Sequence, residues 1–136
     1  MLHLAAELGH LAVVQVLIAN GAQIDAHKYR TLGTALHCAS WNGHLQVVEV
    51  LLNSGADPNQ VSFDNRTPLH YAAGNQHADV CELLIRRGVN VDAINAQGYT
   101  ALAYIRDRAV AARLLTLAHE MLDPDEGMLL DQNVNP

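Results

Sequence analysis

Apolar residues recur along this chain in paired clusters separated by polar, turn-forming stretches. The longer cluster of each pair steps by three and four positions: Val13, Val14, Leu17 and Ile18, then Val47, Val48, Leu51 and Leu52, then Val80, Leu83 and Leu84. That spacing gathers side chains on one face of an α-helix. Gly21, Gly55 and Gly88 follow the three clusters, and glycine closes a helix because it accepts a left-handed backbone. A shorter cluster precedes each long one, as in Leu69, Ala72 and Ala73, and predicts a short inner helix whose small alanines let a neighbour approach closely. Thr67 is placed to cap that helix by accepting from a free backbone N–H, and Pro68 sits at its first position, where a missing donor costs nothing. Stretches rich in Asp, Asn, Gly and Pro after each outer helix read as turns or extended fingers.

The pairs repeat with a fixed period. Leu2-His3-Leu4-Ala5-Ala6, Leu36-His37-Cys38-Ala39-Ser40 and Leu69-His70-Tyr71-Ala72-Ala73 place equivalent histidines at 3, 37 and 70, a spacing of 34 then 33 residues. A period in that range predicts a solenoid, because one helix pair cannot bury both its faces and must stack on its neighbours.

The fullest unit reads Thr67-Pro68-Leu69-His70, Ala72-Ala73, Val80, Leu83-Leu84 and Gly88, and the second reads Thr34-Ala35-Leu36-His37, Gly43-His44, Val47-Val48, Leu51-Leu52 and Gly55-Ala56-Asp57-Pro58-Asn59. This pattern resembles the ankyrin repeat family over about residues 1–118. The resemblance implies an all-α repeat fold, an ankyrin-type solenoid of stacked helix-turn-helix units with extended finger turns. The expected array is 1–122, in units of about 1–27, 28–60, 61–94 and 95–122, followed by an acidic tail over 123–136. The first unit lacks its leading turn and Thr-Pro, so the chain reads as an excerpt of a longer one. The fourth opens with Asn95, Gly98, Thr100 and Leu102 but has Ala103 in place of the histidine, and reads as a C-terminal cap with Val110, Leu114, Leu115 and Leu117 facing inward. Gln76 stands where the first two units have glycine between their helices; a left-handed backbone there costs roughly 1 kcal/mol and would loosen unit three.

Half of the residues are apolar, enough for a continuous core in one elongated domain. The net charge of −6 is uneven: residues 1–118 hold all eight Lys and Arg against nine acids, and the remaining acids follow. A near-neutral array without a cationic stripe speaks against nucleic acid, whose binding rests on phosphate neutralisation. No apolar run approaches a membrane span, and no basic-plus-apolar leader begins at Met1. Cys38 and Cys81 lie in different units at core-type positions and read as buried thiols in a reducing compartment, cytoplasmic or alternatively nuclear.

Eight histidines raise the question of metal. Six of them, His3, His10, His37, His44, His70 and His77, are explained by the repeat, and the seven-residue spacing within each pair is not a ligand spacing. No phosphate loop, nucleophile elbow or carboxylate pair is present, so neither enzyme, metal nor cofactor is expected.

What remains is a surface. The resemblance implies that a partner is gripped by the fingers and the solvent ends of the inner helices. In this register Tyr29, Arg30, Phe63, Asp64, Arg66 and Tyr99 fall on fingers, and Trp41, Asn42, Asn75 and Arg108 fall at helix ends. Four of six aromatic residues, Tyr29, Trp41, Phe63 and Tyr99, are in that set, and aromatics carry much of the energy of protein interfaces. Tyr71 and Tyr104 occupy positions normally given to leucine and read as packing residues. The expected function is a monomeric scaffold or adaptor binding another protein on its concave face. The alternatives are a regulatory arm of a larger enzyme, ubiquitin-ligase adaptor or effector, and a small-ligand or nucleotide sensor using Trp41 stacking with Arg30 or Arg66.

Overall fold

A computed structural model describes residues 1–28 and 33–122. Its helices are α1 (Leu2–Leu8), α2 (Leu11–Ala19), α3 (Ala35–Trp41), α4 (Leu45–Asn53), α5 (Pro68–Gly74), α6 (Ala78–Arg86), a 3-10 helix (Ala101–Tyr104) and α7 (Arg108–Leu122). The short helices stack side by side in one row, α1 on α3 on α5 on the 3-10 helix, and the longer ones form a second row behind them, α2, α4, α6 and α7. Between the rows lies a continuous core that includes the fully buried Val14, Leu36, Val48, Leu51, Leu69, Val80, Leu84 and Leu114. Ala6, Ala39, Ala72 and Ala73 are equally buried and keep the inner row tight. The acidic tail lies outside the described residues.

The repeating histidines hold this stack together. Thr67 Oγ1 accepts from the His70 N–H at 3.3 Å, while His70 Nδ1 accepts from the Thr67 N–H at 3.1 Å, a reciprocal cap in which the imidazole takes the place usual for glutamate. His37 Nδ1 accepts from the Thr34 N–H in the same way, at 2.9 Å. Each ring then donates from Nε2 to the carbonyl of a following finger: His37 to Arg66 at 2.9 Å and His70 to Tyr99 at 3.0 Å. The outer-helix histidines reach backwards, His44 to the Glu7 carbonyl at 2.9 Å and His77 to the Trp41 carbonyl at 3.0 Å. Side chains also ladder the finger bases, where Asp25 accepts from the Asp57 N–H at 3.0 Å and Asn59 from the Asn90 N–H at 2.8 Å.

Gly9 and Gly43 have φ of +74° and +71°, and a Cβ on either would fall 2.7 or 2.6 Å from the ring of His44 or His77. Left-handed backbone and a neighbouring imidazole therefore both demand glycine. Gln76 adopts the same conformation, φ 62°, but the fourth unit brings no histidine over it. Its side chain fills that space instead: Nε2 donates to the Tyr104 carbonyl at 2.8 Å and Oε1 accepts from the Arg106 N–H at 2.9 Å. The expected loosening of unit three is thus corrected, because Gln76 ties units three and four together.

The fourth unit departs further from its expected form. Without a histidine at 103 to complete a cap on Thr100, the inner segment shortens to one 3-10 turn, and the chain runs on to Asp107, whose Oδ1 accepts from the Ala109 N–H at 2.9 Å to start α7. Arg108, expected at the solvent end of a fourth inner helix, instead opens this outer helix. Leu114, Leu117 and Ala118 are buried and Val110 packs beside them, but Leu115 is exposed. A helix turns about 100° per residue, so Leu115 leaves the stripe formed by 110, 114, 117 and 118.

Candidate functional site

Two clefts open between the inner helices and the fingers. The larger, about 300 Å³, is lined by Glu7, Lys28, His37, Cys38, Trp41, Asn42, Arg66 and Tyr71. A smaller one of about 60 Å³ shares Trp41, Arg66 and Tyr71 and adds His70, Gly74 and Tyr104.

Trp41 ends α3 and is 46% exposed. Its backbone is fixed from the next unit, since its carbonyl accepts from Asn75 Nδ2 at 2.7 Å and from His77 Nε2 at 3.0 Å. The indole stands edge-to-face on Tyr71 with centroids 5.7 Å apart, and Tyr71 stands likewise on His37 at 5.0 Å, a preferred aromatic geometry. Tyr71 is both the packing residue expected and part of the cleft wall. A second aromatic group continues along the row: Tyr104 meets His70 at 6.4 Å and Tyr99 at 5.9 Å. Buried Asn95 sets this group, accepting from the Tyr99 N–H at 3.0 Å and donating from Nδ2 to the Tyr104 hydroxyl at 2.7 Å.

The finger between units two and three is a tight loop closed by Ser62 N–H to the Arg66 carbonyl at 2.9 Å and by Asn65, left-handed at φ 58°, donating its N–H to Ser62 at 3.0 Å. The loop lifts Phe63 to 64% exposure, and the Asp64 carbonyl accepts from the Ala96 N–H at 2.9 Å, joining this finger to the next. Tyr99, on that next finger, is 55% exposed. Arg66 is half-buried at the finger root. Its Nε is shut off from solvent and has no hydrogen-bond partner among the described residues.

Of the residues singled out from the sequence, Trp41, Asn42 and Arg66 line the larger cleft together. Phe63, Asp64 and Tyr99 stand on the fingers beyond it. Asn42 donates its amide back to the Cys38 carbonyl at 2.9 Å, and Asn75 spends its amide on holding Trp41. Arg108 belongs to α7 and lines neither cleft. Tyr29 and Arg30 lie outside the described residues. Sequence reasoning placed Glu7 at the solvent end of an inner helix, beside this site, but did not gather Lys28 and Cys38 into it, although the repeat register alone, laid unit on unit, brings 38 beside 71.

Burial governs the ionisation here. Desolvation, opposed by its bond to the Arg66 carbonyl, pushes the His37 pKa down to about 4, and the neutral ring keeps Nδ1 free to accept. Desolvation also lowers His70, aided by the charge of Arg66. Burial raises the Cys38 thiol and pushes Cys81 up to about 12, the opposite of what a nucleophilic cysteine needs. Cys38 is half-buried at the cleft wall and Cys81 is the buried thiol expected of both. Lys28 and Glu7 form an exposed ion pair across the rim at 3.7 Å. The arrangement is an aromatic floor held rigid from behind, with mixed charge at its edge. Among the described residues no helix is long and apolar enough to cross a membrane.

A family model described as ankyrin repeats (3 copies) matches residues 1–62, and another described as ankyrin repeats (many copies) matches residues 43–85. No curated protein matches the chain.

Proposed function

Because this chain belongs to the ankyrin repeat family, whose repeats generally mediate binding between proteins and are typically non-catalytic, we propose that it is a scaffold or adaptor holding a partner protein in the groove between its fingers and inner helices. Trp41, Phe63 and Tyr99 are its anchors, with Asn42, Asp64 and Arg66 around them. Asn75 acts through Trp41, whose backbone it fixes. The single observation that carries this reading is the exposure of all three aromatic anchors, on segments whose backbones are each bonded to a neighbouring unit. Large, rigid, half-exposed aromatics lose little entropy on binding and supply apolar area, which is why such residues dominate interface energetics.

The test is affinity capture with the combined variant Trp41→Ala, Phe63→Ala, Tyr99→Ala beside the wild type and an outer-helix control, Gln46→Ala with Glu49→Ala, all shown folded by circular dichroism. A partner retained by the wild type and the control should be lost by the aromatic variant, by about a thousandfold, on the order of two hot spots at about 2 kcal/mol each. Retention by the aromatic variant together with loss by the outer-helix control would place binding on the opposite face.

A further inference from the structure

Resting on the reading of the groove as the partner site, we propose that its occupant is an extended partner segment that presents an Asp or Glu carboxylate to Arg66, beside an apolar residue laid against Trp41 and Tyr71. Arg66 is anchored at its backbone, where its carbonyl accepts both from His37 Nε2 at 2.9 Å and from the Ser62 N–H at 2.9 Å. Arg66 lines both clefts from this fixed root, and so do Trp41 and Tyr71. Arg66, Trp41 and Tyr71 thus border two adjacent clefts, which fits a segment laid across both rather than a compact ligand in one hole.

The electrostatics select the sign of the partner. Lys28 pairs with Glu7 at 3.7 Å, and Arg86 and Arg113 both pair with Glu82. No carboxylate among the described residues pairs with Arg66, and its guanidinium donates to no acceptor there. A half-buried guanidinium with no acceptor among the described residues is partly desolvated already, so an arriving carboxylate gains two charge-assisted bonds in a fork that only arginine offers. With Nε closed off, the terminal nitrogens are the ones left to meet it.

The charge count selects a carboxylate over a phosphate. Among the described residues, Glu7, Lys28 and Arg66 are the charged ones lining the larger cleft, so they leave one positive charge over once the Glu7–Lys28 pair is counted. A single carboxylate neutralises it. A dianionic phosphate overcharges the cleft and faces Glu7. The volume of about 300 Å³ takes one or two side chains of a strand, and the exposed indole of Trp41 covers the apolar neighbour.

The probe is a random-peptide display library panned against the chain, followed by titration of synthetic, fluorescein-labelled peptides of the enriched sequences by anisotropy. Enriched peptides should carry Asp or Glu next to an apolar residue. Replacing that acid by its amide should weaken binding about tenfold, as should Arg66→Gln, and the two changes together should cost little more than either alone, because they remove one interaction. The peptide-side change needs no altered protein, so it decides the matter even where Arg66→Gln fails to fold. Enriched peptides without an acid, an amide that binds as well as the acid, tighter binding of a phosphoserine peptide, or no enrichment would each overturn the proposal. If binding ignores Arg66 but is lost with Trp41→Ala, the groove still serves as the partner site; if it survives loss of Trp41, Phe63 and Tyr99 as well, that reading falls too.

Discussion

At the scale of single residues, the histidines carry most of the explanation. His37 is fully buried, accepts at Nδ1 and donates at Nε2, a set of bonds that only the neutral ring can make. Its folded pKa of about 4 lies below the ordinary 6.5, and His3 and His70 are lowered in the same direction, by desolvation first. Between these values the unfolded chain binds protons that the folded chain refuses, so stability falls as pH drops from about 6.5 towards 4. His37 alone accounts for about 3 kcal/mol across that window. Urea unfolding at pH 7.5 and 5.5 should show the lower midpoint at 5.5, and NMR titration should leave the His37 ring unchanged down to pH 5; titration near 6.5 would refute the account. Ser40 makes the reverse case. It is buried where the neighbouring units have Ala6 and Ala73, and its hydroxyl has no partner among the described residues. Ser40→Ala should raise stability by about 1 kcal/mol, read from the shift in urea midpoint. The sequence identified both positions as belonging to the repeat. It did not reveal which ring atom accepts, since that depends on a carbonyl 29 residues away.

Among the elements, the outer helices were the most legible, because apolar steps of three and four leave little alternative to a helix with one buried face. The inner helices were legible through their Thr-x-x-His openings, although the imidazole's part as the reciprocal cap emerges only from geometry. The fourth unit shows what happens when that residue is missing: a 3-10 turn replaces the helix, and Gln76 supplies the link that a histidine supplies elsewhere. Gln76→Ala keeps the left-handed strain and removes both bonds to unit four. It should cost about 1–2 kcal/mol, with faster amide hydrogen exchange confined to Ala101–Tyr104 and α7. Unchanged exchange there would show that Gln76 contributes no link. The exposure of Trp41, Phe63 and Tyr99 was legible from register, because exposed positions repeat as regularly as buried ones. The edge-to-face contact of Trp41 with Tyr71 was not, since residues 30 apart in sequence meet only when units stack.

For the molecule as a whole, each unit is bonded, among the described residues, only to its neighbours, so stability is a sum of units and interfaces, and weakening one interface should divide the array. Gly43→Ala tests this. Its Cβ would meet the His77 ring at 2.6 Å in a left-handed backbone, breaking the bond that also fixes Trp41, and the expected cost is about 2 kcal/mol or more. Gly55→Ala, at φ +100° with nothing within 4 Å of the added carbon, should bear the backbone cost alone. A broadened or two-step urea transition in the first variant but not the second would establish nearest-neighbour coupling; identical behaviour would argue against it. The same division separates what the chain encodes locally from what assembly decides. The sequence by itself determined the repeat, the all-α solenoid and most of the buried stripe of the outer helices, Val13 and Leu115 excepted, because these follow from periods of 3.6 and about 33 residues along one strand of chain. The tertiary structure alone decided the joint cleft of Trp41, Tyr71 and Arg66, the role of Gln76 and the shortened fourth unit, because those depend on distances across interfaces between units, which no local pattern specifies.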